Sequence, residues 1–409
     1  MGLTDRFRFA ARGDQARGAV RHWLVIEIID ALVRIAVVST DSAPAHLTIH
    51  QVMISPVPQA PASALIQTIA QLLEKIDCPV GTQVLVLVDE RRGAVIHLPI
   101  TLRRTDPQVR MGAAELDNGI GRVLWQAFDE ARERVAPTMG ITASRVQLSS
   151  ADVIEIKLDG HQVVDPVGFP AKEIRCLCRV TLVDKVFEAQ LHQLFATDTP
   201  PRLSETSGLL ISMIVRQHPS QSFLFAKAGT LATQLYIVEQ GVARYLDSFG
   251  WGTSRLLESV TQQFATGETA TRSLLATFER GEMSPALRRT FEALVAGELA
   301  ILGNGIMMQN QKRPLPVFLY SATALPAKII DHDFMYQLHW PFTLTLVNEE
   351  WIRQCAQYDV EYLSRGAADP NHSFTAMTAA LFDAQRLPCT AQIGSITARR
   401  VRWLRSGGR

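Results

Sequence analysis

Cysteine is scarce in this sequence and follows no pattern. The five residues Cys78, Cys176, Cys178, Cys355 and Cys389 are odd in number and lack C-x-x-C spacing, which argues against a secreted disulfide scaffold and points to a reducing cytoplasm. Cys176 and Cys178 alternate on a strand-like run and share a face, but no second pair or histidine cluster completes a four-ligand zinc set. No metal site is therefore expected. Charge of one sign is also lacking: 41 Lys and Arg against 40 Asp and Glu leave +1, so there is no overall field for nucleic acid, and none is expected as a partner. No apolar run approaches the ~20 residues that span a bilayer. The N-terminal RFRFAARGDQARGAVRH is basic without an apolar core and reads as a loose arm over residues 1–20 rather than a secretory signal. None of the ten histidines stands with a Ser or Cys in a nucleophile motif, and no catalytic residue is assigned.

What remains is ordinary globular material. Apolar residues make up 47% and charged residues 20% of 409, enough for two or three domains, since single cores stop growing near ~250–300 residues. From Trp23 the run WLVIEIIDALVRIAVV reads as two antiparallel strands turning near Ile29 to Leu32, with a third strand at Leu47 to Ile54. Leu65, Ile66, Ile69, Leu72, Leu73 and Ile76 have helical spacing, and VLVLV at 84–88 is a buried strand. Residues 93–183 read as a different, small α+β module. It has a strand at Ala94 to Leu102, a helix at Leu116 to Val135, strands at Ser144 to Leu148 and Asp152 to Leu158, turns at Asp159-Gly160 and Asp165-Pro166-Val167-Gly168, and a strand at Lys172 to Leu182.

Helices at Val186 to Phe195 and Glu205 to Val215 lead to Ser222 to Gly241, SFLFAKAGTLATQLYIVEQG. This stretch reads as a hairpin whose Gly-Thr turn has backbone N–H groups of the kind that cradle an anion. A helix capped by Thr253 or Ser254 and ending at Phe264 follows, then helices at Thr271 to Phe278 and Pro285 to Leu302. A strand at Leu315 to Tyr320, a strand at Thr343 to Val347 and helices at Glu349 to Leu363 and Thr375 to Phe382 complete the reading.

In this order the chain resembles the actin-like ATPase superfamily, and within it the FtsA/PilM family of bacterial cell-division and pilus-assembly proteins, over roughly residues 22–385. LDGHQVVDPVGFPAKEIRCLCRVTLV, Leu158 to Val183, is similar to the family's Asp-Gly and Asp-Pro-Val-Gly segment in the inserted subdomain called SHS2 or 1C. The resemblance implies an α/β, ribonuclease-H-like two-domain fold. Its parts are 21–92 and 184–217 for the first domain, the 93–183 insertion, 218–340 for the second domain with a helical part at 265–302, and 341–388 closing the fold. It also implies ATP with Mg²⁺ as the ligand, and as partners a tubulin-like division protein, pilus proteins or further copies of the chain.

The nucleotide motifs depart from that pattern. The family's first phosphate loop, D-I-G-x-x-x-x-K, falls on Glu27, Ile28, Ile29 and Arg34, and a β-branched isoleucine cannot take the tight phosphate turn without strain. The second, D-I-G-G-x-T-T-D, falls on Lys227, Ala228, Gly229, Thr230, Leu231, Ala232, Thr233 and Gln234, so both acids are gone. The paired glycines of the adenosine loop fall on Ser321 and Ala322. Gly252 serves the turn into the following helix. Two readings stay open. Lys227 and Arg34 neutralise phosphate without metal, or Glu27 and Arg34 form a cross-strand ion pair while Gly229, Thr230 and Thr233 make a plain hairpin turn. Hydrolysis would need metal ligands outside the motifs, such as Asp30 or Glu239.

ITARRVRWLR, Ile396 to Arg405, lies in a basic tail over 389–409, which reads either as a solvated tail or as one in which Arg399, Arg400, Trp403 and Leu404 suit contact with anionic lipid. The resemblance implies a short amphipathic membrane helix there. The resemblance leads to the expectation of an FtsA-like cell-division scaffold, cytoplasmic and at the inner face of the membrane, without ATP hydrolysis; an active ATPase with atypical metal ligands and a PilM-like platform of pilus or secretion assembly stay open as alternatives.

Overall fold

The computed structural model describes residues 20–29, 32–42, 45–57, 62–195, 201–310, 314–321, 325, 340–356, 359–363, 375–385, 399 and 401. Most of the basic arm, Asp30, Ala322, Cys389, Arg400, Trp403 and Leu404 lie outside these residues. The chain divides into two compact units, Met1–Met213 with Ala379–Arg409, and Ile214–Thr378.

The first unit opens with the meander that the apolar run predicts: β1 (Arg21–Ile29), β2 (Leu32–Ser42) and β3 (Ala45–Pro56). Every residue from Trp23 to Ile29 is buried, because both faces of β1 are covered. Helix α1 (Ala62–Leu73) presents Leu65, Ile69, Leu72 and Leu73 as one apolar face, and β4 (Gln83–Val88) follows. Next come β5 (Gly93–Arg103), α2 (Ala113–Met139), β6 (Val146–Leu158), β7 (His161–Gln162) and β8 (Glu173–Asp184). Helix α3 (Lys185–Phe195), β9 (Arg202–Glu205) and the start of α4 (Thr206–Gln217) complete the unit's main frame.

Five of these strands form one sheet in the order β3-β2-β1-β4-β9. The first three are antiparallel neighbours, while β1–β4 and β4–β9 are parallel. One face buries Leu24, Ile26 and Ile28, Val33, Ile35 and Val37, and Val84, Val86 and Val88 beneath α1 and the Phe187, Leu191 and Phe195 stripe of α3. Strand β9 is absent from the sequence reading, since the four residues RLSE carry no periodicity.

The other strands make a second sheet, β5-β8-β6-β7, with α2 packed against it. Two strands expected near Ser144 and Asp152 are one long β6, carried past the polar Ser149–Ser150 by register shifts at Leu148/Ser150 and Val153/Glu155. Cys176 and Cys178 lie in this core among Ile100, Val153 and Ile156. Asp159 takes φ 46° in the Asp-Gly turn, and its carboxylate accepts the N–H groups of Lys172 and Glu173. Those backbone bonds hold its pKa below the usual carboxylate range. Arg104 forks onto Glu115 at 2.7 and 2.9 Å and donates to the Val109 carbonyl, tying the loop after β5 to the first turn of α2.

The insertion is fastened to α4 by close approach. A Cβ on Gly208 would lie 2.1 Å from the Val95 Cβ, so only glycine lets the helix sit this near β5. One turn on, Ser212 donates to the Gly208 carbonyl and meets His97 Nε2 at 2.8 Å. That makes the imidazole the donor to the hydroxyl. This buried Ser–His contact is a fastener and not an activated nucleophile.

The second unit runs β10 (Phe223–Ala228), β11 (Thr233–Glu239), β12 (Val242–Phe249), α5 (Thr253–Phe264), α6 (Glu268–Arg280), α7 (Pro285–Asn310), β13 (Val317–Ser321) and β14 (Leu344–Leu346). Helix α8 (Glu349–Ala356) and β15 (Asp359–Tyr362) stand where one helix to Leu363 is expected. Helix α9 (Thr375–Gln385) begins in this unit. The sheet order is β12-β11-β10-β13-β14, with antiparallel and parallel pairs in the same places as in the first unit. Helix α7 is long and apolar enough to cross a membrane by length and composition. Here its Phe291, Val295, Leu299, Leu302 and Ile306 pack into the core of the second unit with Leu224, Val317 and Leu319.

Two measurements test these packing arguments. Gly208→Ala should destabilise the chain by about 1–3 kcal/mol through overpacking. Val95→Gly should recover part of that loss; equal cost in both backgrounds would show that the contact is not the cause. The Arg104 guanidinium holds the Glu115 carboxyl below its ordinary range. A lowered folded pKa contributes stability above the unfolded pKa and loses it as pH falls through the folded value. Glu115→Gln should therefore cost under about 1 kcal/mol at neutral pH, as for other half-exposed pairs. The cost should shrink as pH falls below the ordinary glutamate range and vanish once the folded carboxyl is itself protonated, as urea titrations across acidic pH would read.

Candidate functional site

The carboxyl ends of parallel strands, and the helix N-termini beside them, are where open α/β sheets bind anions. Each unit has such an end, and each is described by itself.

In the first unit Glu27 and Arg34 face each other across β1 and β2. Arg34 Nη2 lies 2.6 Å from Glu27 Oε2, and the two side chains are 0% and 1% exposed. These residues make the cross-strand ion pair that is one of the two sequence readings. Ile29 ends β1 directly opposite Leu32, the first residue of β2. Two acids that sequence reasoning passed over lie on neighbouring strand ends. Asp89 lies just past the end of β4, two positions after Leu87, the β4 residue level with Glu27, and is buried. Glu205 ends β9, and its carboxylate accepts the N–H groups of Ser207 at 2.6 Å and Gly208 at 2.8 Å. It caps α4 and occupies the donors an anion would use. The available sequence signal was an acid at the end of each apolar or short strand run, VLVLVD and RLSE.

In the second unit Lys227 is level with Gln234 on β11 and Tyr320 on β13, and is 2% exposed. The turn at Gly229–Ala232 closes on itself through Gly229 N–H to the Ala232 carbonyl at 2.9 Å. Its outward carbonyls are engaged as well: Thr253 N–H donates to Gly229, and Ser254 N–H and Oγ both donate to Thr230. The N-cap of α5 is Gly252 without any side-chain cap, so the expected Thr253 or Ser254 cap is replaced by carbonyls of the preceding hairpin. The reason is steric. A Cβ on Gly252 would lie 2.3 Å from the Thr230 oxygen and 2.5 Å from the Leu231 nitrogen, so only glycine lets hairpin and helix start meet. Thr233 donates its hydroxyl to the Trp251 carbonyl at 2.8 Å and braces the same junction.

The adenosine-loop position Ser321 is the buried last residue of β13; of the residues after it, only Leu325 up to Pro326 is described, and it packs in the core. The alternative metal ligand Glu239 is at the far end of β11, ion-paired with Arg244 at 2.7 Å. Among the described residues no three His, Cys, Asp or Glu side chains converge on a metal-sized position.

The same five-strand order with the same directions, 3-2-1-4-5, occurs in both units. The fold is actin-like. No protein-family model matches the chain, and no curated protein matches it in sequence. Among solved structures it is similar to a chain of a PilM–PilN type IV pilus biogenesis complex at 16% identity, over 88% of this chain and 97% of that one, with a TM-score of 0.49. It is similar at 9% identity and TM-score 0.36 to a Bacteroides thetaiotaomicron protein with an actin-like ATPase fold and unknown function, over 88% and 96%. Likeness to the ethanolamine utilization protein EutJ from Carboxydothermus hydrogenoformans covers 91% and 92% at 12% identity and TM-score 0.35. These likenesses concern the fold, which the repeated strand order defines without them.

A buried ion pair is costly to break and cheap to replace whole. Arg34→Met alone should lower stability by about 3–5 kcal/mol, whereas Glu27→Leu with Arg34→Met should lie near wild type. Chemical denaturation of the three proteins checks this, and a mild single variant would mean that the pair is solvated.

Proposed function

We propose that this chain is an actin-like scaffold of the FtsA/PilM kind that works through protein contacts and does not turn over ATP. The observation that carries the reading is the internal capping of both helix starts. Glu205 takes the donors of α4, and the Gly229 and Thr230 carbonyls take those of α5. Phosphoryl transfer needs carboxylates that hold Mg²⁺ and a group that positions the attacking water. The corresponding hairpin positions here carry Arg34 bonded to Glu27 and a buried Lys227.

Under this reading the 93–183 insertion is the SHS2-type contact module. The partners are membrane-associated assembly proteins of a division or pilus system, with further copies of the chain as neighbours; open head-to-tail association would give filaments. The Arg- and Trp-bearing C-terminus supplies an attachment to the inner face of the cytoplasmic membrane. Division and pilus assembly separate genetically: loss of the gene gives filamentous cells in the first case and loss of pili with normal division in the second.

Calorimetric titration with ATP and Mg²⁺, paired with a phosphate-release assay, should give neither heat nor product. Micromolar binding with release would overturn the reading. Lys227→Asp with Gln234→Asp should also fail to restore binding, because the α5 donors remain taken by the hairpin. Restored Mg-ATP binding would place the loss at those two positions alone.

A further inference from the structure

The C-terminal tail has a contact that a solvated or lipid-bound tail does not need. Arg399 donates from Nη2 to Asp117 Oδ2 at 2.8 Å, joining positions 282 residues apart. Asp117 lies in the first turns of α2, two residues after Glu115, which the Arg104 fork holds. Two residues beyond Arg399, Val401 is 5% exposed and belongs to the insertion's own core with Leu116 and Ile120 of α2. A surface ion pair alone is worth little, but a buried valine beside it gives the contact an apolar anchor. The two contacts differ in kind and meet the same helix.

We propose that the segment around Arg399–Val401 is a strap that docks on α2 of the insertion. Because Arg399 is engaged by Asp117 and Val401 by the core beside α2, docking keeps these two positions from lipid, and undocking frees them for the membrane contact. The first statement stands on the contacts; the second also rests on the membrane attachment proposed above. The module thereby couples its own surface to the attachment of the chain. A partner that displaces the strap from α2 would favour the membrane-bound form by as much as its affinity differs between the two states.

Hydrogen–deuterium exchange of the full-length chain, read on peptides spanning residues 386–409, tests the strap. Wild type should show protection around 399–401. Asp117→Arg and Arg399→Asp should each speed exchange there by several-fold to about tenfold, the range expected when a surface pair becomes a like-charge contact. The double swap should return it to within about twofold of wild type. Val401→Asp should exceed about tenfold, because it drives a carboxylate into an apolar core. An unprotected wild-type tail, or a swap that fails to restore protection, overturns the strap.

Co-sedimentation of the same proteins with phosphatidylglycerol-containing vesicles reads the second statement. Asp117→Arg should bind vesicles more than wild type, and the gain should vanish when residues 402–409 are deleted. Faster exchange without any gain in vesicle binding supports the strap and overturns its link to the membrane.

Discussion

A helix start leaves backbone N–H groups that something must accept, and this chain meets that demand from within at both strand ends where an anion would otherwise be held. The consequences spread outward from there. In the second unit the hairpin turn must press against α5, which fixes Gly252, orients Thr233 toward Trp251 and positions β10 against β13. In the first unit Glu205 must end β9 beside α4, and Gly208 then lets that helix close on β5. The backbone donors at these two helix starts are joints of the fold.

The charges at these ends fit the same account. Glu27 and Arg34 neutralise each other inside the first sheet, so neither is available for a ligand without the cost of leaving the other buried alone. Lys227 stands at the matching hairpin position of the second sheet, level with the parallel strand β13 as Glu27 is with β4. The two sheets share a strand order and differ in the charges at these positions.

Much of this was legible from residue pattern. Strands β1 to β4, helix α1 and the β10–β11 hairpin announce themselves because each buries a continuous or periodic apolar face. The fifth strand of the first sheet does not, since RLSE is too short for a period. Strand β12 was missed for another reason: VARYLDSF lies largely exposed at a sheet edge, so no burial pattern marks it. The pairing of Glu27 with Arg34 was readable as one of two alternatives, because strand register places them opposite. The capping of α5 by the hairpin was not readable, since carbonyl acceptors leave no side-chain signature. The docking of Arg399 and Val401 on α2 was equally hidden, because sequence distance says nothing of a contact between positions 282 apart.

The central claim is that the fold completes its own anion sites and stands without nucleotide. Its most direct test is the thermal unfolding midpoint of the nucleotide-free chain, measured with and without millimolar ATP and Mg²⁺. A ligand that binds only the folded state must raise that midpoint by mass action. The account predicts a cooperative transition at the same temperature in both conditions. An upward shift of more than about 2 °C with Mg-ATP would contradict it.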